Sequence, residues 1–241
     1  MSIPKPPMTT IPAHSTNQWP RYGFPYDYIV MHYVGAVSTA RNNGMYYGNT
    51  PNIGASAHFF VDEKEIVASV PLDRSAGHCG VDYSHGKAPY WHKDADGIDS
   101  TNRRSIGIEM CCKKRADGSW YIEPETVERT IPLVKWLMQE YGIPADRVIR
   151  HYDVCWKNCP APWVEHPEQW ESFKRRIEQE DEEDMQRFKT VEELPAWARA
   201  DIQTLIDLGK LQGKGGDLGL DLTEDMVRTL IVCGRMTGVL E

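Results

Sequence analysis

Short apolar runs recur along the first two thirds of the chain, and their spacing changes between that of strands and that of helices. Residues 28–34 are almost continuously apolar, with β-branched and aromatic members, which predicts a buried strand. Residues 57–61 and 66–70 are two more strand-like runs, and the polar residues between them predict a hairpin. Apolar residues alternate with small or polar ones in 105–111, so this run predicts a strand with Glu109 on its small-residue face.

Helical spacing follows between residues 123 and 142. Pro124 and its acidic neighbours predict the first turn, and Gly142 predicts the end of the helix. Pro132 lies inside this pattern and predicts a kink. A short strand at 148–149 and a helix within 163–179 complete the order β, ββ, β, α, β, α. This order predicts a mixed α/β fold, with a central mixed β-sheet flanked by helices.

Three polar segments do not fit a strand or helix pattern. Residues 1–20 are rich in proline and predict an extended lead-in. Residues 41–56 contain many Asn and Gly residues and predict a loop. Residues 75–104 are long, polar and rich in Gly, His and Asp, and a connection of this length is typically functional.

The charge distribution divides the chain into two modules. The net charge of −8 comes entirely from residues 178–241, which carry 15 acidic and 7 basic residues. The acidic stretch 178–187 predicts a linker between a larger domain, 1–177, and a small helical module, 188–241. In that module Thr223 is the predicted N-cap of the last helix. Neither part has the basic stripe of a nucleic-acid-binding protein, so nucleic acid is not an expected partner.

Targeting signals and cysteines indicate where the protein is made. The N-terminal residues contain no apolar core of a signal peptide, and no run reaches the roughly 18 apolar residues of a membrane helix. We therefore expect synthesis in the cytoplasm without membrane insertion. The six cysteines form no CxxC pair and no disulfide framework, so reduced thiols are expected. Cys111, Cys112 and Cys233 lie in apolar surroundings and are predicted core residues.

His32, His151 and Cys159 are the candidate metal ligands. Two imidazoles and a thiolate are three of the four ligands of a tetrahedral zinc, and a missing fourth protein ligand leaves a position for water. Each histidine alone is more typical of a core residue than of a ligand. A structural zinc is the alternative, with His58 or Cys155 completing the shell.

Five ordered motifs give these residues a context. They are Ile-Val-Met-His-Tyr at 29–33, Ser-Ala-His-Phe-Phe-Val at 56–61, Gly-His at 77–78, Ser-Ile-Gly-Ile-Glu at 105–109, and His-Tyr-Asp…Lys-Asn-Cys-Pro at 151–160. Over residues 20–177 the chain resembles the zinc-dependent N-acetylmuramoyl-L-alanine amidases. This group includes phage endolysins and is related to peptidoglycan recognition proteins. The resemblance implies a mixed sheet flanked by helices, one zinc in a groove, and cleavage of the amide between N-acetylmuramic acid and L-alanine.

The resemblance also implies a role for each motif residue. His32, His151 and Cys159 match the zinc ligands, Glu109 matches the acidic residue beside the zinc-bound water, and Lys157 matches the basic residue facing the scissile carbonyl. These roles agree with the chemistry of amide hydrolysis, which needs an activated water, a proton acceptor and a stabilised oxyanion. The simpler alternatives are an ion pair of Glu109 with Arg103 or Arg104, and a solvated lysine at 157.

One position departs from the family pattern. Many relatives have a tyrosine before the histidine of the second strand, whereas Ala57 precedes His58 here. Tyr46 or Tyr47 from the preceding segment is expected to replace it. His58 and His78 are further candidates for lining the substrate groove, and a loop histidine without function is the alternative for His78.

The sequence therefore predicts a peptidoglycan hydrolase, specifically a phage or prophage endolysin that reaches the cell wall after release. The alternatives are a non-catalytic peptidoglycan-recognition protein and a cytoplasmic amidase that recycles muropeptides. The C-terminal module faintly resembles S-layer-homology-like wall-binding repeats. Formation of a homodimer through this module is the other expectation, because about 50 residues bury little surface alone.

Overall fold

The computed structural model describes residues 3–79, 101–179, 187–213 and 219–240. The chain forms two compact units, residues 1–179 and 180–241. Within the described residues the strands are β1 (Thr9–Thr10), β2 (Gln18–Pro20), β3 (Tyr28–Val37), β4 (Phe59–Val61), β5 (Ile66–Ala68), β6 (Arg74–Ala76), β7 (Ser105–Lys114), β8 (Trp120–Tyr121), β9 (Val148–Arg150), β10 (Arg187–Phe188) and β11 (Leu222–Thr223). The α-helices are α1 (Ala40–Asn49), α2 (Thr101–Arg104), α3 (Pro124–Tyr141), α4 (His151–Cys155), α5 (Ala161–Glu165), α6 (Pro167–Glu178), α7 (Arg199–Asp207) and α8 (Glu224–Met236).

A mixed sheet forms the centre of the first unit. Its strand order is β1-β5-β4-β7-β3-β9, and β8 pairs with β7. The β4–β5 and β7–β8 pairs are antiparallel, and the other pairs are parallel. The first five residues of β3 and the first four of β7 are all buried, as expected for central parallel strands covered on both faces. This architecture confirms the predicted mixed α/β fold class.

Helix α3 covers one face of the sheet. Pro124 occupies its first turn and Gly142 ends it in the left-handed conformation, with φ 64°. Pro132 lies within a helix that continues to Tyr141. Leu133, Val134 and Leu137 are fully buried in the main core, where the aromatic residues of α5 and α6 join them. The helices thus hold the central strands in place from one side.

Two segments of the first unit contain elements that the sequence pattern did not predict. Residues 40–49 form helix α1, although a loop was predicted there because Asn and Gly are poor helix formers. The Thr39 side chain caps this helix by accepting from Asn42 N, and Gly44 packs so closely that a Cβ would lie 2.8 Å from Val67. The proline-rich lead-in adds β1 to the central sheet and β2 to a small sheet with β6.

Asp62 connects the β4–β5 hairpin to α1. Its carboxylate accepts hydrogen bonds from Ala40 N, Lys64 N and Glu65 N at 2.8 to 2.9 Å, and the residue is 2% exposed. These bonds fix both the hairpin turn and the start of the helix, because charge-assisted hydrogen bonds are stronger than neutral ones.

The second unit has a hydrophobic core of its own. Strands β10 and β11 pair antiparallel, and α7 and α8 contribute Ile202, Leu205, Val227 and Ile231 to the core. Thr223 caps α8 by accepting from Met226 N, as predicted from the sequence. Cys233 is exposed, so its predicted place in a core is wrong.

The spacing of the buried residues explains this position of Cys233. Val227, Ile231 and Gly234 mark the buried face of α8, and Cys233 lies on the other side of the helix. The predicted acidic linker falls mostly on residues 180–186, outside the described ranges. None of the helices in the described ranges combines the length and apolarity that crossing a membrane requires.

Candidate active site

His32 lies at the centre of the site. It is the fifth residue of β3, is 1% exposed, and pairs in register with Glu109 of the neighbouring strand β7. Its ring has one nitrogen toward each of two groups: Nδ1 lies 3.7 Å from Cys159 Sγ, and Nε2 lies 2.9 Å from His78 Nδ1. The sheet therefore places one imidazole between two sets of side chains that could bind a metal ion.

His151 and Cys159 reach His32 from the strand on its other side. β9 pairs with β3, and His151 begins α4 directly after β9. The segment after α4 folds back, with Tyr152 N donating to Cys159 O at 2.8 Å, which brings the thiol to the ring. The ring centroids of His32 and His151 are 4.7 Å apart, and the ligand atoms of all three residues lie within 4.8 Å of one another. The structure thus brings together the three predicted ligands.

Burial controls the charge of this group. It lowers the pKa of His32 well below its usual range, with a further contribution from His151. It also raises the pKa of the Cys159 thiol, and Glu109 adds to this effect. A neutral imidazole offers a lone pair, and the thiol gives up its proton when a metal ion binds, so this donor set fits a divalent cation such as zinc. Among the described residues, neither His58 nor Cys155 belongs to this group, which leaves it with three side-chain donors.

Glu109 lies beside these donors in a poorly hydrated position. Its side chain is partly buried, and Oε2 has no hydrogen-bond partner within the part of the chain that the structure describes. Burial raises the pKa of Glu109 to about 8, and the nearby Lys157 opposes this increase. The alternative ion pair with Arg104 is not formed, because that guanidinium pairs with Asp27 at 2.7 Å. Arg103 instead lies over the ring of Tyr22.

Lys157 occupies the exposed segment between α4 and Cys159. Its charge acts on Glu109, His32 and Cys159, since it contributes to the pKa of all three. An exposed cation near a partly buried carboxylate is suited to meet a developing negative charge on a bound substrate.

The expected substrate-lining residues lie in different environments. His58 is 0% exposed, its Nδ1 accepts from Gly107 N at 3.0 Å, and its Nε2 lies 3.1 Å from Tyr26 Oη. Both nitrogens are used inside the protein, which differs from the expected groove-lining position. Tyr46 is 53% exposed on α1. Tyr47 stacks on Phe60, and burial together with Glu109 raises its pKa to about 12.

A second group meets His32 from the other side. Cys79 Sγ lies 3.1 Å from His78 Nδ1, and the ligand atoms of His32, His78 and Cys79 also lie within 4.8 Å of one another. Sequence reasoning named His78 only as a groove residue and did not single out Cys79. The Gly77-His78 motif was the sequence signal for this group that the resemblance offered. The motif does not reveal the contact between His78 and His32, because that contact forms only in the folded protein. Burial lowers the pKa of His78 to about 4.

Comparison with known proteins places the chain in a family. The sequence model of the N-acetylmuramoyl-L-alanine amidases (Amidase_2) matches residues 22–162, more than half of the chain. The chain belongs to this amidase family, as the motifs predicted.

Individual relatives agree with this assignment. The chain is 35% identical over 150 residues to N-acetylmuramoyl-L-alanine amidase BlyA of Bacillus subtilis, a match that covers 61% of this chain and 40% of BlyA. It is 32% identical over 172 residues to N-acetylmuramoyl-L-alanine amidase XlyA of the same species, covering 69% of this chain and 49% of XlyA. The chain therefore spans less than half the length of either curated relative.

Solved structures extend the similarity to the fold. The catalytic domain of XlyA matches with a TM-score of 0.55 and 27% identity, over 71% of this chain and 99% of that domain. A mutant endolysin from Bacillus subtilis matches with a TM-score of 0.55 and 28% identity, over 71% of this chain and 98% of the endolysin. The shared mixed α/β fold is that of the endolysin amidases.

Proposed function

We propose that the chain is a zinc-dependent peptidoglycan hydrolase that cleaves the amide between N-acetylmuramic acid and L-alanine, with one zinc per chain. The observation that carries this proposal is the convergence of His32, His151 and Cys159 in a chain of the amidase family. Three donors leave one position of a tetrahedral shell for water, as in catalytic rather than structural zinc sites.

The chain's own residues supply the proton transfer and the charge stabilisation. When bound, zinc supplies a Lewis acid that polarises a carbonyl and brings the pKa of water to about 7. Glu109 takes a proton from the attacking water and returns it to the leaving amine of L-alanine. A carboxyl whose pKa lies near the working pH is suited to both transfers. Lys157 stabilises the negative charge that develops on the scissile carbonyl oxygen.

Metal analysis combined with mass spectrometry of digested wall tests this assignment. We expect one zinc per chain and fragments with a free amino group on L-alanine and an intact muramic acid. Cys159→Ser is expected to lose zinc and activity, whereas Cys233→Ser, which changes an exposed thiol of the other unit, is expected to keep both. Unchanged hydrolysis by Cys159→Ser would contradict the zinc mechanism. Binding to wall without any cleavage would identify a non-catalytic recognition protein instead.

We also propose that the substrate is intact cell wall, as for an endolysin that acts after release from the cytoplasm. The similarity to a solved endolysin supports this choice over a muropeptide-recycling enzyme. The test compares the turbidity loss of intact walls with peptide release from soluble muropeptides. Activity on soluble fragments alone would refute the endolysin assignment.

For the second unit we propose either a wall-binding or a dimerisation role. Its separate hydrophobic core supports a module with a task of its own. Removing residues 180–241 is expected to weaken binding to intact walls if the unit binds wall. Conversion of a dimer to a monomer with unchanged wall binding would assign it to dimerisation.

A further inference from the structure

The side of His32 that faces away from Cys159 carries a chain of hydrogen bonds with a defined direction. His32 Nε2 lies 2.9 Å from His78 Nδ1, His78 Nε2 lies 3.2 Å from Ser105 Oγ, and Ser105 Oγ donates to Thr101 O at 2.6 Å. All four residues are buried, with exposures of 7% or less. This series of hydrogen bonds therefore runs from the candidate metal centre, through the side chains of His78 and Ser105, to a backbone carbonyl.

The backbone carbonyl at the end of this series determines which atom is the donor in each hydrogen bond. A carbonyl oxygen only accepts, so the single hydroxyl proton of Ser105 points to Thr101 O. Ser105 Oγ must then accept from His78 Nε2–H, which leaves His78 Nδ1 with a lone pair. His78 Nδ1 consequently accepts from His32 Nε2–H, and the lone pair of His32 is on Nδ1, the nitrogen near Cys159.

We propose that His78 is a positioning residue, which holds His32 in the tautomer whose Nδ1 lone pair faces the metal site. This inference rests on the proposed zinc function, because the lone pair is needed to bind the ion. Partners of this kind fix the orientation and tautomer of a ligating histidine, and their loss commonly weakens metal binding by about 10–100-fold.

The surroundings of His78 hold its ring in place. Asn102 Oδ1 accepts from His78 N at 3.1 Å and from Cys79 N at 2.7 Å, which fixes the backbone. The ring lies directly against Gly107, where an added Cβ would be 2.4 Å from His78 Cγ. Only a residue without a side chain leaves this space on β7. The contacts at the backbone, the ring face and Nε2 explain how a histidine outside the central sheet keeps its contact with His32.

The thiol of Cys79 raises the alternative that His32 and His78 are ligands of a second metal ion. Cys79 Sγ is close to His78 Nδ1, so His32, His78 and Cys79 form a second three-donor group. Binding an ion there together with one at Cys159 would require both nitrogens of His32 as ligands, and hence loss of its remaining proton. The directed chain to Thr101 O favours a protonated Nε2, and thus a single metal site.

Imidazole NMR of the 241-residue chain tests the tautomer directly. In protein stripped of zinc, long-range proton–nitrogen correlations are expected to show the Nε2–H tautomer for both His32 and His78. His78→Leu removes the acceptor and is expected to populate the other tautomer of His32. His78→Asn retains an acceptor oxygen and is expected to restore the Nε2–H form. An Nδ1–H tautomer of His32 in the wild type would overturn the proposal.

Zinc affinity provides the second measurement. Competition with a chelator is expected to show a 10–100-fold weaker zinc complex for His78→Leu, a smaller loss for Ser105→Ala, and near-normal binding for His78→Asn. Cys79→Ala is expected to keep one zinc per chain at normal affinity. Normal affinity of folded His78→Leu, or a second zinc that disappears in Cys79→Ala, would refute the positioning role. If His78→Leu does not fold, Ser105→Ala and His78→Asn still decide. The tautomers are measured without zinc or substrate, so a failure of the proposed amidase activity is recognised separately.

Discussion

The charge of Glu109 is expected to make the zinc-free protein less stable as the pH rises. Burial raises the pKa of this carboxyl from 4.5 to about 8 in the folded state. The folded state therefore holds its proton over a pH range in which the unfolded chain has released it. The stability associated with the protonated form is complete below about pH 4.5 and is lost progressively as the pH rises to about 8.

The size of the expected stability loss follows from the linkage between proton binding and folding. One proton changes the free energy of unfolding by at most about 1.4 kcal/mol per pH unit, so the two pKa values set an upper limit of roughly 5 kcal/mol. The side chain is partly buried rather than enclosed, and water that enters the site reduces this value. A loss of about 2–3 kcal/mol between pH 5 and pH 8 is the expected result.

Glu109→Gln is the matched comparison, because it keeps the shape of the side chain and removes its charge. Urea unfolding of both proteins, at several pH values and with a chelator present, gives the difference in unfolding free energy. The buried histidines have lowered pKa values and destabilise the folded state as the pH falls, in both proteins alike. The difference between the two proteins therefore isolates Glu109. Parallel pH profiles for the two proteins would refute the desolvated carboxyl.

Three further predictions concern packing, capping and metal. Gly107→Ala forces the His78 ring to move, so we expect a loss of about 1–3 kcal/mol in urea unfolding and weaker zinc binding; an unchanged zinc affinity would contradict the close packing. Thr223→Ala removes the N-cap of α8 and is expected to cost the second unit about 1 kcal/mol in thermal unfolding, whereas exposed Thr229→Ala is the control with little effect. Free zinc at about 100 times its dissociation constant is expected to raise the unfolding free energy of the wild type by about 2.7 kcal/mol. Cys159→Ser is expected to show no such gain, and this difference in urea unfolding links the stabilisation to the proposed site.

The strand pattern could be predicted from the sequence because it depends on local periodicity. The runs that became β3, β4, β5 and β7 contain β-branched and aromatic residues at strand spacing, and these strands form most of the central sheet. Helix α1 could not be predicted in this way. Its sequence is poor in helix formers, and its stability comes from the Thr39 cap and from packing of Gly44 against distant residues.

The residues of the candidate site likewise differ in whether the sequence alone could predict them. His32, His151 and Cys159 were recognisable because their motifs carry the resemblance to a family. The contact of His78 with His32 and the enclosure of His58 depend on side-chain positions that no local pattern encodes. The exposure of Cys233 follows from the register of α8, which apolar composition alone does not determine.

The pairing of β3 with β9 has a consequence for biosynthesis. One donor imidazole emerges early from the ribosome, and the strand that positions the other donors emerges only after most of the first unit has been made. Until β9 joins the edge of the sheet, the proposed site has only His32 of its three donors in place. Binding of the proposed zinc at this site must therefore follow the pairing of β9 with β3, and it cannot guide the earlier folding steps.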